Sequence, residues 1–470
     1  MIYIENYWID MVRESNMEKT DKNIYYRIKN IFKELIATKE SERNYEINSL
    51  DIKHLFIKSF FIRLVILILV LSIPNMDSGF IGNDYLVDDV RYELGGKYYS
   101  ENATKLFDMD TFTVAFDQYS DNTGYVLKER PLSATALWYW IVCLLMYIFK
   151  SNVAVRLFNV IISSFSVIVV YKFAALTYGR KTAIKAGNLM AFLPYPVIFS
   201  CFSYKDNFIM LLTFYLLYQA VKFKKMKKMS FVDTVLILLS VFSMINLRGG
   251  LSFILIILCL FIAFSFILEK HDSLNKKNFK NFVNKNNIIN FISLLVIVYI
   301  VVFLLKDVIL KSIDIILYKA EVYLSANARE SSALSIAKIT GIKDIYKFPF
   351  TFLFSTFLPI GFFSSINNWG EIVGILNITL FPIGIASCLY VLKKKPMPLV
   401  YWICFLYYSI SIIASIGIFR HYFSLIPLNI IAYSDYMEHC ATKKEKKFVY
   451  ICSVILLILF IIYFFKKNIL

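Results

Sequence analysis

Charged residues are scarce in this chain. They make up 18% of its 470 residues, whereas hydrophobic residues make up 58%. A soluble protein of this size carries about a quarter charged residues. Apolar runs long enough to cross a hydrocarbon core about 30 Å thick recur from Leu55 to the end of the chain. Because open sheets cannot satisfy their backbone hydrogen bonds in lipid, the sequence predicts an all-α polytopic membrane protein.

Cysteine and histidine are also few, and they are scattered. The seven cysteines form no C-x-x-C pair, and the four histidines lack the spacing of metal ligands. The net charge of +17 is not concentrated in a basic soluble domain, so we expect no nucleic-acid partner. Instead, we interpret the excess of Lys and Arg as the positive-inside bias of a protein with many membrane-spanning helices.

Charge patterning divides the chain into three parts. Residues 1–54 hold nine Lys or Arg and ten Asp or Glu, with apolar residues at helical spacing, which predicts a cytoplasmic, amphipathic N-terminal segment and no cleavable signal peptide. Residues 55–310 form a transmembrane module whose first outer loop, residues 75–130, holds eleven acidic and five basic residues. Residues 311–470 hold a second outer loop and the C-terminal transmembrane helices.

Basic clusters mark the inner side and fix the parity of the crossings between them. Parity requires one apolar stretch in each of two intervals to stay on the outer surface. We choose Leu132–Phe149 for its interfacial Trp and Tyr residues and Phe348–Ile366 for its two prolines and a glycine, and predict both as juxtamembrane helices. The orientation of the last helix is left open, since Lys466 and Lys467 would lie outside. About eleven spans result: 55–73, 153–178, 183–203, 207–221, two between 228 and 270, 288–310, 371–392, 399–417, 421–438 and 447–465.

This topology places ionisable residues at the outer membrane border, where they are costly unless paired or functional. A carboxylate there can act as a general base, other carboxylates can hold a divalent cation, and Arg or Lys can bind phosphate. The alternative is that these side chains only anchor helix ends by snorkelling. The residues are Asp88, Asp89, Arg91, Lys205, Asp206, Arg248, Arg420 and His421. Such a set suits transfer of a group from a lipid phosphate.

Several stretches resemble motifs of GT-C glycosyltransferases, in particular the bacterial glycosyltransferase 39 group with its aminoarabinose transferases and protein O-mannosyltransferases. The resemblance covers about residues 55–436, in order. It rests on Asp88-Asp89-Val90-Arg91-Tyr92, Arg130-Pro131-Leu132 before Leu137-Trp138-Tyr139-Trp140, Arg156-Leu157-Phe158-Asn159, Tyr178-Gly179-Arg180-Lys181-Thr182-Ala183, Pro194 and Pro196 before Ser203 to Asp206, and Phe419-Arg420-His421-Tyr422 with Pro427.

The resemblance implies a role for individual residues. Asp88 matches the catalytic base and Asp206 a carboxylate implicated in cation binding, while Arg420 matches a late Arg that contacts the lipid phosphate. Asp89 replaces a common Glu, and Asp84 lies four residues before Asp88, which leaves the register of the acidic cluster open. The full expectation is Asp88 and Asp89 as catalytic residues, Arg91, Lys205, Arg248 and Arg420 for the donor phosphate, Asp84, Tyr92 and His421 for substrate, and Asp206 with Asp89 for Mg²⁺ or Mn²⁺.

The implied activity is transfer of a sugar, with inversion, from a polyprenyl-phosphate donor to a glycan, lipid or protein acceptor. The active site is expected on the extracytoplasmic face of the plasma membrane, with no organic cofactor. Two alternatives remain open. One is an O-antigen-type polysaccharide polymerase or ligase. The other is a lipid-linked glycan flippase without chemistry, although the internal repeats that many transporters show are not seen.

Overall fold

The computed structural model describes residues 47–73, 88–119, 136–226, 229–248, 250–273, 369–393 and 426–469, and these residues form helices with no strand. The expectation of an all-α protein is therefore confirmed for this part of the chain. Its α-helices are α1 (Ser49–Ser72), α2 (Asp88–Asn102), α3 (Met109–Tyr119), α4 (Ala136–Phe149), α5 (Asn152–Tyr178), α6 (Arg180–Phe192), α7 (Pro194–Phe199), α8 (Asp206–Met226), α9 (Phe231–Arg248), α10 (Gly250–Ser273), α11 (Trp369–Leu376), α12 (Phe381–Leu392), α13 (Ile426–Asp435) and α14 (Lys443–Ile469).

Three of the described helices are long and apolar enough to cross a membrane, namely α1, α5 and α9. Helix α5 is the most enclosed of the three, and α1, α6 and α8 pack around it. The predicted spans at 288–310 and 399–417 lie outside the described residues, as does the predicted surface helix at 348–366. The total of about eleven spans therefore stays a prediction.

Polar contacts divide the bundle into two ends. At the basic end, which we define by Arg180, Lys185, Lys222 and Lys393, the start of α1 meets the start of α6. The other end, which we call the acidic end, is defined by Asp88, Asp89, Glu93 and Asp206 and holds the starts of α2, α5 and α8. The basic end is tied together by Asp51–Arg180, Lys185–Glu438, Lys222–Asp233 and Lys393–Glu445 ion pairs of 2.7 to 2.9 Å.

The predicted span at 183–203 is divided in the structure. Helix α6 ends at Phe192, and α7 begins at Pro194 after Leu193, whose backbone is extended. Proline has no N–H to continue the helical ladder, which explains the break at this position. A turn of residues 200–205 then leads into α8. The break lets the chain change direction before it reaches Lys205 and Asp206.

Helix α4 corresponds to the predicted surface helix Leu132–Phe149. As described, it is 14 residues or about 21 Å long, shorter than a hydrocarbon core of about 30 Å. It packs closely on α2 at Gly95 and Gly96, where a Cβ would overlap Tyr139 and Met146. Tyr139 Oη in turn donates to the Arg91 carbonyl at 3.2 Å. Helix α4 therefore fixes the position of α2, the helix that carries the first acidic motif.

The connection between α2 and α3 is fixed by Asp108. One carboxylate oxygen of Asp108 accepts the Thr111 amide at 3.1 Å and so caps α3, while the other accepts the amide and hydroxyl of Thr104, both at 3.1 Å. These donors lower the pKa of Asp108 to about 2. The Tyr99 hydroxyl accepts the Asp108 amide and donates to the Leu106 carbonyl, both at 2.9 Å. The α2–α3 hairpin is thus held by polar contacts that are buried or partly buried.

Candidate functional site

The first acidic motif begins helix α2. Asp88 and Asp89 are its first two residues, where the helix dipole favours negative charge. Asp89 is buried, whereas Asp88 and Arg91 are partly exposed. Tyr92, predicted to bind substrate, is buried in the contact between α2 and α4, with its ring edge against Tyr139 at 5.7 Å. Asp88 is therefore the more accessible of the two acidic residues.

Glu93 organises this end of the molecule, and the sequence reasoning did not single it out. Its carboxylate accepts two hydrogen bonds from Arg156, at 2.8 and 3.0 Å, one from Asn152 at 2.8 Å and one from Ser203 at 2.6 Å. Arg156 is 1% exposed and Glu93 13% exposed, so the pair is largely withdrawn from solvent. A buried Arg at the start of an apolar span needs an acidic partner, and that requirement is the signal that points to Glu93.

The turn of residues 200–205 is held by its carbonyl groups. Asn159 donates to the carbonyls of Phe202 and Tyr204, at 2.5 and 2.9 Å. Trp138 Nε1 donates to the carbonyl of Ser203 at 2.9 Å. Three consecutive carbonyls therefore have side-chain donors from α4 and α5. This arrangement fixes the backbone that immediately precedes Lys205 and Asp206.

Asp206 and Arg248 form an ion pair at the acidic end. Asp206 is the first residue of α8 and is buried, while Arg248 is the last residue of α9. Their Oδ1 and guanidinium nitrogen lie 2.9 Å apart, with the two side chains 3% and 13% exposed. The sequence reasoning assigned these residues separately, to cation binding and phosphate binding. The structure brings them into direct contact, and partly exposed Lys205 lies next to Asp206 in the chain.

The Glu93 cluster joins the two acidic segments. Asp89 lies one helical turn before Glu93, and Asp206 lies three residues after Ser203, whose hydroxyl donates to Glu93. The starts of α2 and α8 are thereby held at the same end of the bundle. Two buried carboxylates, those of Asp89 and Asp206, therefore lie near the accessible Asp88, Arg91 and Lys205.

Buried polar atoms near this cluster have unused hydrogen-bonding capacity. Within the described part of the chain, Asn159 Oδ1, Asn207 Oδ1 and Arg248 Nε have no hydrogen-bond partner. Asn159 and Asn207 are fully buried. Buried polar atoms in folded proteins nearly always have a partner, in protein or in ordered water. We therefore expect ordered water to complete these hydrogen bonds.

No protein-family model matches this chain, and no curated protein matches it. The assignment of the acidic end to a function therefore rests on the sequence motifs and on the geometry of the residues themselves.

The described residues supply only part of a cation site. Among them, no group of three or more His, Cys, Asp or Glu side chains is arranged to hold a metal ion. Of the expected ligands Asp89 and Asp206, the second already pairs with Arg248. Mg²⁺ is usually bound through one or two carboxylates together with water and substrate phosphate, so these two carboxylates would supply part of its coordination. The expectation of a cation stays a prediction, and we derive no chemical step through it.

Three of the predicted site residues lie outside the described residues, namely Asp84, Arg420 and His421. The same holds for residues 1–46 of the predicted amphipathic segment and for the second outer loop, residues 311–347. The described candidates, Asp88, Asp89, Arg91, Lys205, Asp206 and Arg248, all belong to the acidic end, and Tyr92 contributes packing beside them.

Proposed function

We propose that this protein is a membrane glycosyltransferase of the GT-C type that moves a sugar from a polyprenyl-phosphate donor to an extracytoplasmic acceptor. One observation supports the proposal most. The Glu93–Arg156–Ser203 contacts join α2 to the turn before α8, so that two motifs 110 or more residues apart in the chain meet at one end of the bundle. Of the motif residues, Arg156 makes the contact with Glu93, and Asn159 holds the same turn through the Phe202 and Tyr204 carbonyls.

In this proposal Asp88 is the general base. Its carboxylate takes the proton from the acceptor hydroxyl as that oxygen attacks the anomeric carbon of the donor sugar. The bond between the anomeric carbon and the phosphate oxygen breaks, and polyprenyl phosphate leaves with the bonding electron pair. Attack opposite the leaving group inverts the anomeric centre, and Asp88 then loses its proton to water.

Glu93 is a poorer choice for the base, although it lies one turn further along α2. Its carboxylate already accepts four hydrogen bonds from Arg156, Asn152 and Ser203. Those contacts hold the carboxylate in place and leave it little capacity to accept a further proton. Asp88 is partly exposed at the helix start, where an acceptor hydroxyl can reach it.

Cationic side chains at the same end would bind the donor phosphate. Arg91 and Lys205 are partly exposed, and Arg248 lies beside Asp206. Charge-assisted hydrogen bonds from such groups stabilise the negative charge that develops on the departing phosphate. In this proposal the chain crosses the plasma membrane about eleven times, and the acidic end faces the outside.

The test uses membrane vesicles that contain wild type or Asp88→Asn, supplied with labelled polyprenyl-phosphate sugars and candidate acceptors. We expect wild type to release polyprenyl phosphate and Asp88→Asn to release none, while both proteins accumulate equally. Asp110→Asn, an exposed carboxylate in the first turn of α3, is the matched control and should retain activity.

Equal turnover by Asp88→Asn would remove this residue from the mechanism. If wild type instead joined diphosphate-linked oligosaccharides and ignored monophosphate-linked sugars, the polymerase alternative would replace the proposal. Added EDTA tests the expected cation independently of Asp88.

A further inference from the structure

Arg63 is fully buried near the middle of α1, one of the three helices apolar enough to cross a membrane. A charged side chain in such a position is costly, and where it occurs it has a structural or functional reason. The mechanism proposed above does not use Arg63. Its contacts lie in the bundle interior, where α1 faces α5 and α6.

The guanidinium of Arg63 binds five oxygens. Nε donates to Ser163 Oγ at 3.0 Å, and one terminal nitrogen donates to Ser59 Oγ at 2.6 Å and to the Ser59 and Ala191 carbonyls, both at 3.2 Å. The other terminal nitrogen donates to the Met190 carbonyl at 3.2 Å. Within the described residues, every acceptor of this guanidinium is a neutral oxygen. Arg63 is therefore not half of an ion pair there.

Two of the three main-chain acceptors, the carbonyls of Met190 and Ala191, lie at the break between α6 and α7. In a continuous helix, the N–H of residue 194 would bond to the carbonyl of Met190. Pro194 has no N–H, and the last helical bond of α6 is from the Leu193 amide to the Leu189 carbonyl, at 2.9 Å. Arg63 supplies the donor that Pro194 lacks. Its positive charge also suits the negative end of the α6 dipole.

Helix α1 contacts the far side of the break as well. The Cys201 thiol lies 3.6 Å from the Arg63 carbonyl and 3.5 Å from the Val197 carbonyl. The same turn of α1 therefore contacts both the end of α6 and Cys201, the second residue after α7. Cys201 belongs to the turn of residues 200–205, which leads directly to Lys205 and Asp206.

We infer that Arg63 is a positioning residue, which stabilises the proline break by satisfying its free carbonyls and thereby sets the direction of α7 and the location of Lys205 and Asp206. The expected effect of Arg63 on catalysis rests on the proposed function. Its expected effect on the position of α7 and the turn does not. Without Arg63, the carbonyls of Met190 and Ala191 would have no donor in a region closed to water. The break would then shift, and the turn would move with it.

The test combines Arg63→Met with Pro194→Ala. Arg63→Met is expected to lower the unfolding temperature in detergent and to speed amide hydrogen exchange of residues 200–205 about tenfold, since buried carbonyls lose their donor. In Arg63→Met/Pro194→Ala, the new amide of residue 194 can bond to Met190. Thermal stability should therefore recover, whereas exchange of the turn should stay fast, because α6 would now continue without the break.

Pro196→Ala is the matched control. Residue 196 lies in the first turn of α7, before the first helical bond from the Val197 amide to the Leu193 carbonyl. Because Pro196 is buried, Pro196→Ala is compared in the Arg63→Met background, where its added N–H does not serve the Met190 carbonyl and should restore no stability. If Arg63→Met fails to accumulate, Arg63→Lys replaces it. Lysine keeps the positive charge, but its single ammonium group cannot donate to both carbonyls as the two terminal nitrogens of arginine do.

The outcomes separate the inference from the proposed function. Unchanged exchange of residues 200–205 in Arg63→Met or Arg63→Lys would overturn the inference, as would recovery of both stability and slow exchange in the double variant. Transfer activity, where wild type shows it, should fall with the faster exchange and stay low in the double variant. Absence of transfer in wild type, with the expected exchange pattern intact, would refute the proposed function alone.

Discussion

Replacing Glu93 by Gln removes the negative charge from a carboxylate that accepts four hydrogen bonds. A Gln side chain also places an NH₂ group against donors from Arg156 or Asn152. Breaking a largely buried pair by removing one partner costs about 3–5 kcal/mol, because the remaining charge is uncompensated. Glu93 and Arg156 are 13% and 1% exposed, so solvent screens little of this effect. We expect a destabilisation near the lower end, about 3 kcal/mol.

A double-mutant cycle with Glu93→Gln and Arg156→Gln measures the interaction free energy from unfolding in detergent. The Lys97–Glu101 pair provides the control, since it lies on the same helix with side chains 66% and 59% exposed and 4.0 Å apart. Its coupling should be below about 0.5 kcal/mol. If the two couplings are equal, Glu93 does not hold α2 to the turn of residues 200–205, and our account of the site is refuted.

Two further predictions concern pH and orientation. The pKa of Asp108 is about 2 in the folded protein, below the usual 3.8, so its stabilising contribution is present above about pH 4 and is lost as pH falls towards 2. The unfolding temperature of wild type should therefore fall between pH 5 and pH 2.5, and that of Asp108→Asn should fall less. Equal falls in the two proteins would show that Asp108 is not the group responsible. For orientation, Lys97→Cys should react with an impermeant maleimide in intact cells and Lys443→Cys only after permeabilisation, with the unsubstituted chain as background. The opposite pattern would place the acidic end inside.

The sequence was sufficient to predict helices, because apolar runs and their lengths depend on local composition. It also identified both acidic segments, since charged residues interrupting apolar runs are conspicuous. Asp88, Asp89, Lys205 and Asp206 were found in this way. Three of the described helices are long and apolar enough to cross a membrane, which supports the prediction of a membrane protein in coarse terms. The remaining spans stay a prediction.

Contacts between distant segments could not be predicted in the same way. Glu93 was counted only as one of the acidic residues of a loop, and its role depends on Arg156 and Ser203, which lie 63 and 110 positions away. The Asp206–Arg248 pair depends equally on how α8 and α9 meet. Pro194 was noticed as part of a motif, but the span was still predicted as continuous. The hydrogen bond that Pro194 cannot make to Met190 is replaced by one from Arg63, 127 residues earlier, and a contact at that separation could not be read from the sequence.

The contacts at the basic end have a consequence for how the protein is made. Thr182 donates to Asp435, and Lys185 pairs with Glu438, in each case across 253 residues of sequence. At a synthesis rate of about 5–20 residues per second, α6 would wait roughly 13–50 s for these partners to emerge from the ribosome. During that interval the early helices have been made but their basic end is incomplete. A nascent chain that stalls before α13 would therefore leave the polar groups of this end without their late partners.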